Sequence, residues 1–256
     1  MIHDFHNVAQ FAEAMDDSGS SGTGRSLTSV TFDRLRSDVL GGELRPSERL
    51  RIQHLCERYD VGATVVREAL SRLVTEGLVE SEDQRGFCVA PVSRSELIDL
   101  TETRVRIEQS AIRIAIAKGD IEWETTVLAS FHRLSRLSAP SVEAKTARAW
   151  IAAHRQFHFA LIEGCGSPWT LKLCSMLYDQ TERYRSLSGL TAGNKTRDVL
   201  KEHRHLLDAV VSRDADRACT LIARHFQRTT DLILAAGIVK ELGQGMPPVR
   251  RRAVSS

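Results

Sequence analysis

Between Val61 and Leu78 the chain reads VGATVVREALSRLVTEGL, and Val66, Ala69, Leu70, Leu73 and Val74 recur at the spacing of one helical face. Thr64, Arg67, Glu68, Ser71 and Arg72 fall on the other, polar side. Gly77 stands where a helix C-terminus favours a left-handed residue, and Leu78 can fold back onto Leu73, a Schellman-type stop. A shorter helical pattern, Ile52 to Tyr59, precedes it across the tight connection Asp60-Val61-Gly62. Two helices joined by a Gly-containing turn, the second with a polar outer face, describe a helix-turn-helix. Upstream, Val30, Leu35, Val39 and Leu40 predict a helix from Thr28, read as its N-cap, to about Leu40, closed by Gly41-Gly42. Downstream, Val79–Ser81 and Gly86–Val89 read as short strands around a polar turn, a wing with Arg85 near its tip.

After Pro91 the pattern becomes almost purely helical. Ser93-x-x-Glu96 is a capping box that opens a helix from Arg94 to Lys118, stopped at Gly119. Asp120 caps Ile121 to Leu137, and Pro140-Ser141 starts Val142 to Glu163. Gly164-Cys165-Gly166 breaks the pattern, and Ser167 with Pro168 at the first helical position opens Trp169 to about Ser186. A loop holding Gly189 and Gly193 leads into Thr196 to Ser212, and Asp214 introduces a last long helix to about Ala236. The expected fold class is mainly α: a winged helix-turn-helix with a small β wing, then an antiparallel six-helix bundle. The expected organisation is a flexible tail at 1–27, Gly/Ser-rich from Asp16 to Gly24, a winged domain at 28–91, a helical domain at 93–237 and a second flexible tail at 238–256.

Composition narrows the class only a little. The chain has 256 residues, 42% hydrophobic and 27% charged, an ordinary globular balance that allows one large domain or two small ones. No apolar run approaches the roughly 18 residues of a membrane span and the N-terminus lacks a secretory apolar region, so a cytoplasmic location without membrane attachment is expected. The 5 cysteines form an odd number with no close pair, as reduced thiols would. A net charge of +2 does not announce a nucleic-acid binder, so any DNA affinity must come from where the arginines sit.

His154 and His158 are four apart and project from one face of one helix, which suits a shared metal. His203 and His225 come from two other helices and would have to converge with them; separate buried or surface histidines fit the pattern as well. Arg104 has two readings also, an ion pair with Glu108 one turn on or a two-pronged clamp on an acidic ligand. Tyr184 and Arg185 are further pocket candidates, while Trp123, Trp150 and Trp169 read as core or interface packing. A metal-dependent hydrolase is an alternative function, but no HExxH pattern accompanies the histidines. A DNA-binding dimer with a purely structural metal site is the other alternative.

Leu44-Arg45-Pro46-Ser47-Glu48-Arg49-Leu50, Leu55-Cys56-Glu57, Val66-Arg67-Glu68-Ala69-Leu70-Ser71-Arg72-Leu73, Glu76-Gly77-Leu78-Val79 and Arg85-Gly86-Phe87 resemble the winged-helix domain of GntR-family bacterial transcription regulators. The chain departs from that pattern with Ser47 where the family often has Gly, and with Gly62-Ala63 where it often has Ser and a DNA-contacting Arg. The second half is similar to the FCD effector domain of the FadR subfamily. The residues that carry this are Glu102-x-Arg104-x-x-Ile107-Glu108, His154-x-x-Phe157-His158-x-x-Leu161, Glu202-His203-Arg204-x-Leu206-Leu207-Asp208-Ala209-Val210 and Arg224-His225. Glu122-Trp123-Glu124, Cys165-Gly166-Ser167 and Arg183-Tyr184-Arg185 look nearest the CsiR-like branch.

The resemblance implies a homodimeric repressor on double-stranded DNA with an inverted-repeat operator, and no enzyme activity. It puts Arg51, Thr64, Arg67, Ser71, Arg72, Arg85 and Gly86 at the DNA. It also implies a divalent metal held by His154, His158, His203 and His225, and a small organic acid effector, a dicarboxylate being one such acid, received by Arg104, Tyr184 and Arg185. The family usually has Asp at the position of His154; a fourth imidazole shifts the preference toward Zn or Ni.

Overall fold

The computed structural model describes residues 25–82, 85–137, 144–188 and 197–237, and the expectations for residues 1–24 of the first tail, the second tail, the loop around Gly189 and the start of the helix expected from Val142 lie outside them. Among the described residues the chain forms helices α1 (Leu27–Gly41), α2 (Ile52–Tyr59), α3 (Ala63–Thr75), α4 (Arg94–Lys118), α5 (Ile121–Ser135), α6 (Ala144–Glu163), α7 (Pro168–Leu187), α8 (Val199–Val211) and α9 (Ala215–Ala235). Strands β1 (Arg49–Leu50), β2 (Val79–Glu82) and β3 (Gly86–Val89) make one antiparallel sheet in the order β1-β3-β2. Register pairs Leu50 with Phe87 and Ser81 with Phe87. The architecture is thus a winged helix-turn-helix followed by a helical bundle, as the pattern predicts.

The apolar face of α3, Val66, Ala69, Leu70 and Leu73, is fully buried against α1, α2 and the sheet, together with Leu35, Val39, Leu55 and Tyr59. The helix stops as its sequence requires: Leu78 N–H donates to Leu73 O at 3.1 Å and Gly77 N–H to Val74 O at 3.0 Å, with Gly77 at φ 69°. Ser47, at the position where the family often has Gly, adopts φ 64°, a left-handed conformation that costs a residue with a Cβ about 1–2 kcal/mol. Gly62 sits at φ −73° and caps α3 without any side-chain bond, so at that position the chain has lost a cap and gained no backbone freedom.

Several boundaries differ from expectation. Ser26, not Thr28, caps α1, its Oγ accepting from Ser29 N–H, while Thr28 Oγ1 donates to Glu68. The first ordered turn therefore starts inside the segment expected to be tail. β1 has only two residues, too short to show periodicity, and was not expected. α5 ends at Ser135 rather than Leu137, and α8 begins at Val199, capped by Asp198, rather than at Thr196.

The bundle core gathers Ile112, Val127, Phe131, Leu134, Phe157, Leu161, Leu206, Val210 and Ile222 from five of its helices. The bundle also packs on the winged domain. α7 lies against α1, Arg183 donates from Nη2 to Ala90 O, and Val92, Leu97, Tyr184 and Ile233 form a small separate apolar cluster at the joint. Ser93 Oγ accepts from Glu96 N–H as a capping box requires, but the return bond is replaced: Tyr184 takes both the Glu96 carboxylate and the Ser93 N–H.

Candidate metal and effector site, and the DNA-binding face

α6 supplies His154 and His158, α8 supplies His203 and α9 supplies His225, and all four are buried with ligand atoms within 4.8 Å of one another. His158 Nε2 lies 3.2 Å from His154 Nε2 and 3.3 Å from His203 Nε2. A tetrahedron of zinc–nitrogen bonds has an edge of about 3.3 Å, so this spacing matches a shared ion. Outer partners orient two of the rings. His154 Nδ1 sits 3.0 Å from the Tyr178 hydroxyl and 3.2 Å from Arg185 Nη1; His225 Nδ1 sits 2.9 Å from Glu202 Oε2, leaving Nε2 for the centre. His158 Nδ1 and His203 Nδ1 are buried without a partner.

The electrostatics keep these rings neutral, the state a ligand needs. Burial first, then the neighbouring cations and imidazoles, holds His154, His158 and His203 well below the ordinary histidine range. Burial pushes His225 down to about 4 against the upward pull of Glu202. Burial works to raise the Glu202 carboxyl itself, but bonds from His225 and Arg197 overcome it and hold that group far below the usual range. Four converging neutral nitrogens in a buried pocket are a donor set for a borderline-soft divalent cation, and the residues present fit one.

Beside the rings lies a cavity of about 30 Å³ bounded by Arg104, Tyr178, Thr181, Glu182, Arg185 and Thr229 among others. That is room for about two water molecules and not for an organic acid. Both readings of Arg104 meet here: its Nε donates to Glu108 Oε1 at 2.5 Å, and its guanidinium faces the cavity above the Phe226 ring at 3.9 Å. Burial raises the Glu108 carboxyl and Arg104 opposes it. Arg185 also lines the cavity, salt-bridged to Glu182 at 3.0 Å. Tyr184 does not. It leaves α7 about 100° round from Arg185 and points into the joint with the winged domain, where its hydroxyl bonds Ser93 and Glu96, so it is not a pocket residue.

Tyr178, Thr181 and Glu182 escaped the sequence reading, although with Arg185 they form a polar stripe at three-and-four spacing along α7, the signal that a helix face is buried but not apolar. Trp150, expected to be packing, stacks on His154 with ring centroids 4.6 Å apart and an interplanar angle of 15°.

On the winged domain Thr64, Arg67 and Ser71 are exposed on one face of α3, with Ser71 Oγ bonded back to Arg67 O at 2.9 Å. Arg51 is exposed at the N-cap position of α2, and Arg85 and Gly86 are exposed where β3 begins; the turn residues 83–84 lie outside the described residues. Arg72 is exposed as well, and its guanidinium lies 3.9 Å from the Phe32 ring of α1, so it also braces α3 on α1. His54 and His132 are exposed and take no part in the cluster.

Fold and site together define a winged-helix transcription regulator with a separate helical effector domain. The chain belongs to the GntR family of bacterial regulatory proteins, whose model matches residues 27–89, and carries an FCD domain, matched over residues 99–228, the pairing of the FadR subfamily. It is 40% identical over 218 residues to the HTH-type transcriptional regulator BphR of Paraburkholderia xenovorans, covering 84% of this chain and 89% of that one. It is 37% identical over 215 residues to the HTH-type transcriptional repressor GlaR of Escherichia coli, covering 82% of this chain and 98% of that one. The fold is shared with Escherichia coli McbR/YncC at a TM-score of 0.68 and 21% identity, over 83% of this chain and 99% of that one. The homologues are transcription regulators, not enzymes. Among the described residues no helix is long and apolar enough to cross a membrane.

Proposed function

We propose that the chain is a cytoplasmic, homodimeric transcriptional repressor whose affinity for an inverted-repeat operator is set by a small organic acid, a dicarboxylate in our reading, bound beside a zinc or nickel ion. The winged domain, 28–91, binds DNA; the helical domain, 93–237, receives the effector and dimerises. The observation that carries this is the convergence of four buried neutral imidazoles, three of them lining a cavity faced by two guanidinium groups. His154, His158, His203 and His225 would hold the ion through ring nitrogens. The ion supplies a positive charge able to accept a carboxylate oxygen. With the Nδ1 proton on His154, Arg185 Nη1 has no acceptor there and turns to the acid, while Nδ1–H donates a hydrogen bond to the Tyr178 hydroxyl and Nε2 stays free to ligate. GlaR, by its name a repressor, supports the sign of regulation. Trp169, 74% exposed, with Leu173 and Met176 on the same side of α7, leaves the bundle apolar surface for a second copy.

Operator reading is tested on the exposed row of α3. Arg67→Ala is expected to weaken binding by about 1–3 kcal/mol, since a guanidinium at a base edge or fixed phosphate contributes that much. Anisotropy titration on a footprinted operator measures it. Wild-type affinity in the variant, or a footprint without two-fold symmetry, would count against this docking.

A further inference from the structure

His154 and Arg155 are neighbours on α6, and Tyr178 and Asp179 are neighbours on α7. Successive side chains on a helix leave it about 100° apart, so each pair reaches two places at once. The first members meet in the histidine site, Tyr178 hydroxyl to His154 Nδ1 at 3.0 Å. The second members meet outside it. Arg155 Nη1 donates to Asp179 Oδ1, and Arg36 of α1, in the winged domain, donates through Nη2 to Asp179 Oδ2. Arg36 Nε also donates to Glu76 Oε2 at 2.8 Å, and Glu76 is the C-cap of α3, its carbonyl accepting from Gln180 Nε2 at 2.9 Å.

We propose that Asp179 is the coupling residue that carries occupancy of the histidine site to the recognition helix α3, with Arg155 and Arg36 as its two arms. The inference rests on reading His154 as a metal ligand and goes beyond it. Asp179 is 7% exposed, and its two oxygens are divided, one to each domain. A buried carboxylate that loses one of its two cations is left undercompensated, so both arms must follow it. Arg155 cannot slacken easily: Ser175 Oγ accepts from its Nη2 at 2.7 Å, and its guanidinium lies 4.9 Å from the Tyr178 ring. A displacement of His154 on ligation is passed along the rigid backbone of α6 to its neighbour Arg155, thence to Asp179, Arg36 and the cap of α3. Arg183 and Tyr184 tie the same joint to Ala90, Ser93 and Glu96 without touching the histidines, so the domains stay docked when the relay is cut.

The test is amide hydrogen exchange on the full chain, zinc-loaded and chelator-stripped, with zinc content measured on the same samples. In wild type, stripping zinc should speed exchange in α1 and from Arg72 to Leu78 by about fivefold or more. In Arg155→Met and Asp179→Asn, zinc content should be unchanged and that difference should shrink below about twofold. Wild-type amides that ignore bound zinc, or variants that respond as wild type does, overturn the relay while leaving the metal site standing. Wild type that holds no zinc overturns both. If Asp179→Asn fails to fold, Arg155→Met decides alone, because it leaves the Arg36 contact in place.

Discussion

Purified without chelator, the protein should carry about one zinc or nickel ion per chain, and His158→Ala or His203→Ala should retain less than about a tenth of it. These two rings sit at the middle of the cluster, 3.3 Å apart through Nε2, so deleting either removes a nitrogen that no neighbour replaces. Linkage sets the stability consequence: an ion present at about 100 times its dissociation constant adds about 2.7 kcal/mol. For a chain of this size that corresponds to about 5–10 °C in melting temperature, lost on chelation and absent in the variants. His54→Ala and His132→Ala are the controls, because both residues are exposed and outside the cluster. Elemental analysis and melting curves measure the two effects. Equal metal loss from all four variants would mean adventitious binding.

The second large effect is release from DNA. An organic acid that raises the melting temperature of the metal-loaded protein should weaken operator binding about 5- to 150-fold, the usual range of allosteric coupling. The cavity of about 30 Å³ cannot admit such an acid as it stands, so binding must select a more open arrangement of α4, α7 and α9, which line it. Arg104→Ala would strand Glu108 as a buried charge at a cost of about 3–5 kcal/mol, which confounds the measurement. Arg104→Lys and Arg185→Lys keep the charge facing Glu108 and Glu182 while losing the fork that grips a carboxylate. Each should lower acid affinity by about 1.5–3 kcal/mol, read by thermal shift and calorimetry. If every acid that binds leaves operator affinity unchanged, the sensor reading is wrong and the metal is structural.

Much of this was legible in the residues. The period of Val66, Leu70 and Leu73, the stop at Gly77-Leu78 and the caps Ser93, Asp120, Ser167 and Asp214 are local signals, and local signals placed α3, α4, α5, α7 and α9 within two residues. The convergence of the histidines was not legible, because it depends on the packing of three helices far apart in sequence. Tyr184 and Arg185 show the limit most plainly. Adjacent in sequence and alike in burial, they leave α7 about 100° apart, one into the domain joint and one into the site, and only the rotation of α7 decides which. The contact of Arg72 with the Phe32 ring was hidden for a related reason: a polar residue on an outward face can still lie down on a neighbouring ring.

Trp150 lies flat on His154, with the Arg185 guanidinium 5.2 Å from its ring. Of the 3 tryptophans it alone touches a candidate ligand, since Trp123 is pinned by its Nε1 bond to Ala160 O at 2.8 Å and Trp169 is turned to solvent. An indole's emission responds to charge brought against its face. Excitation near the red edge of tryptophan absorption should therefore report, without any label, each change in what His154 holds and where Arg185 points. Trp150→Phe should silence that signal and leave the steady glow of the other two as background.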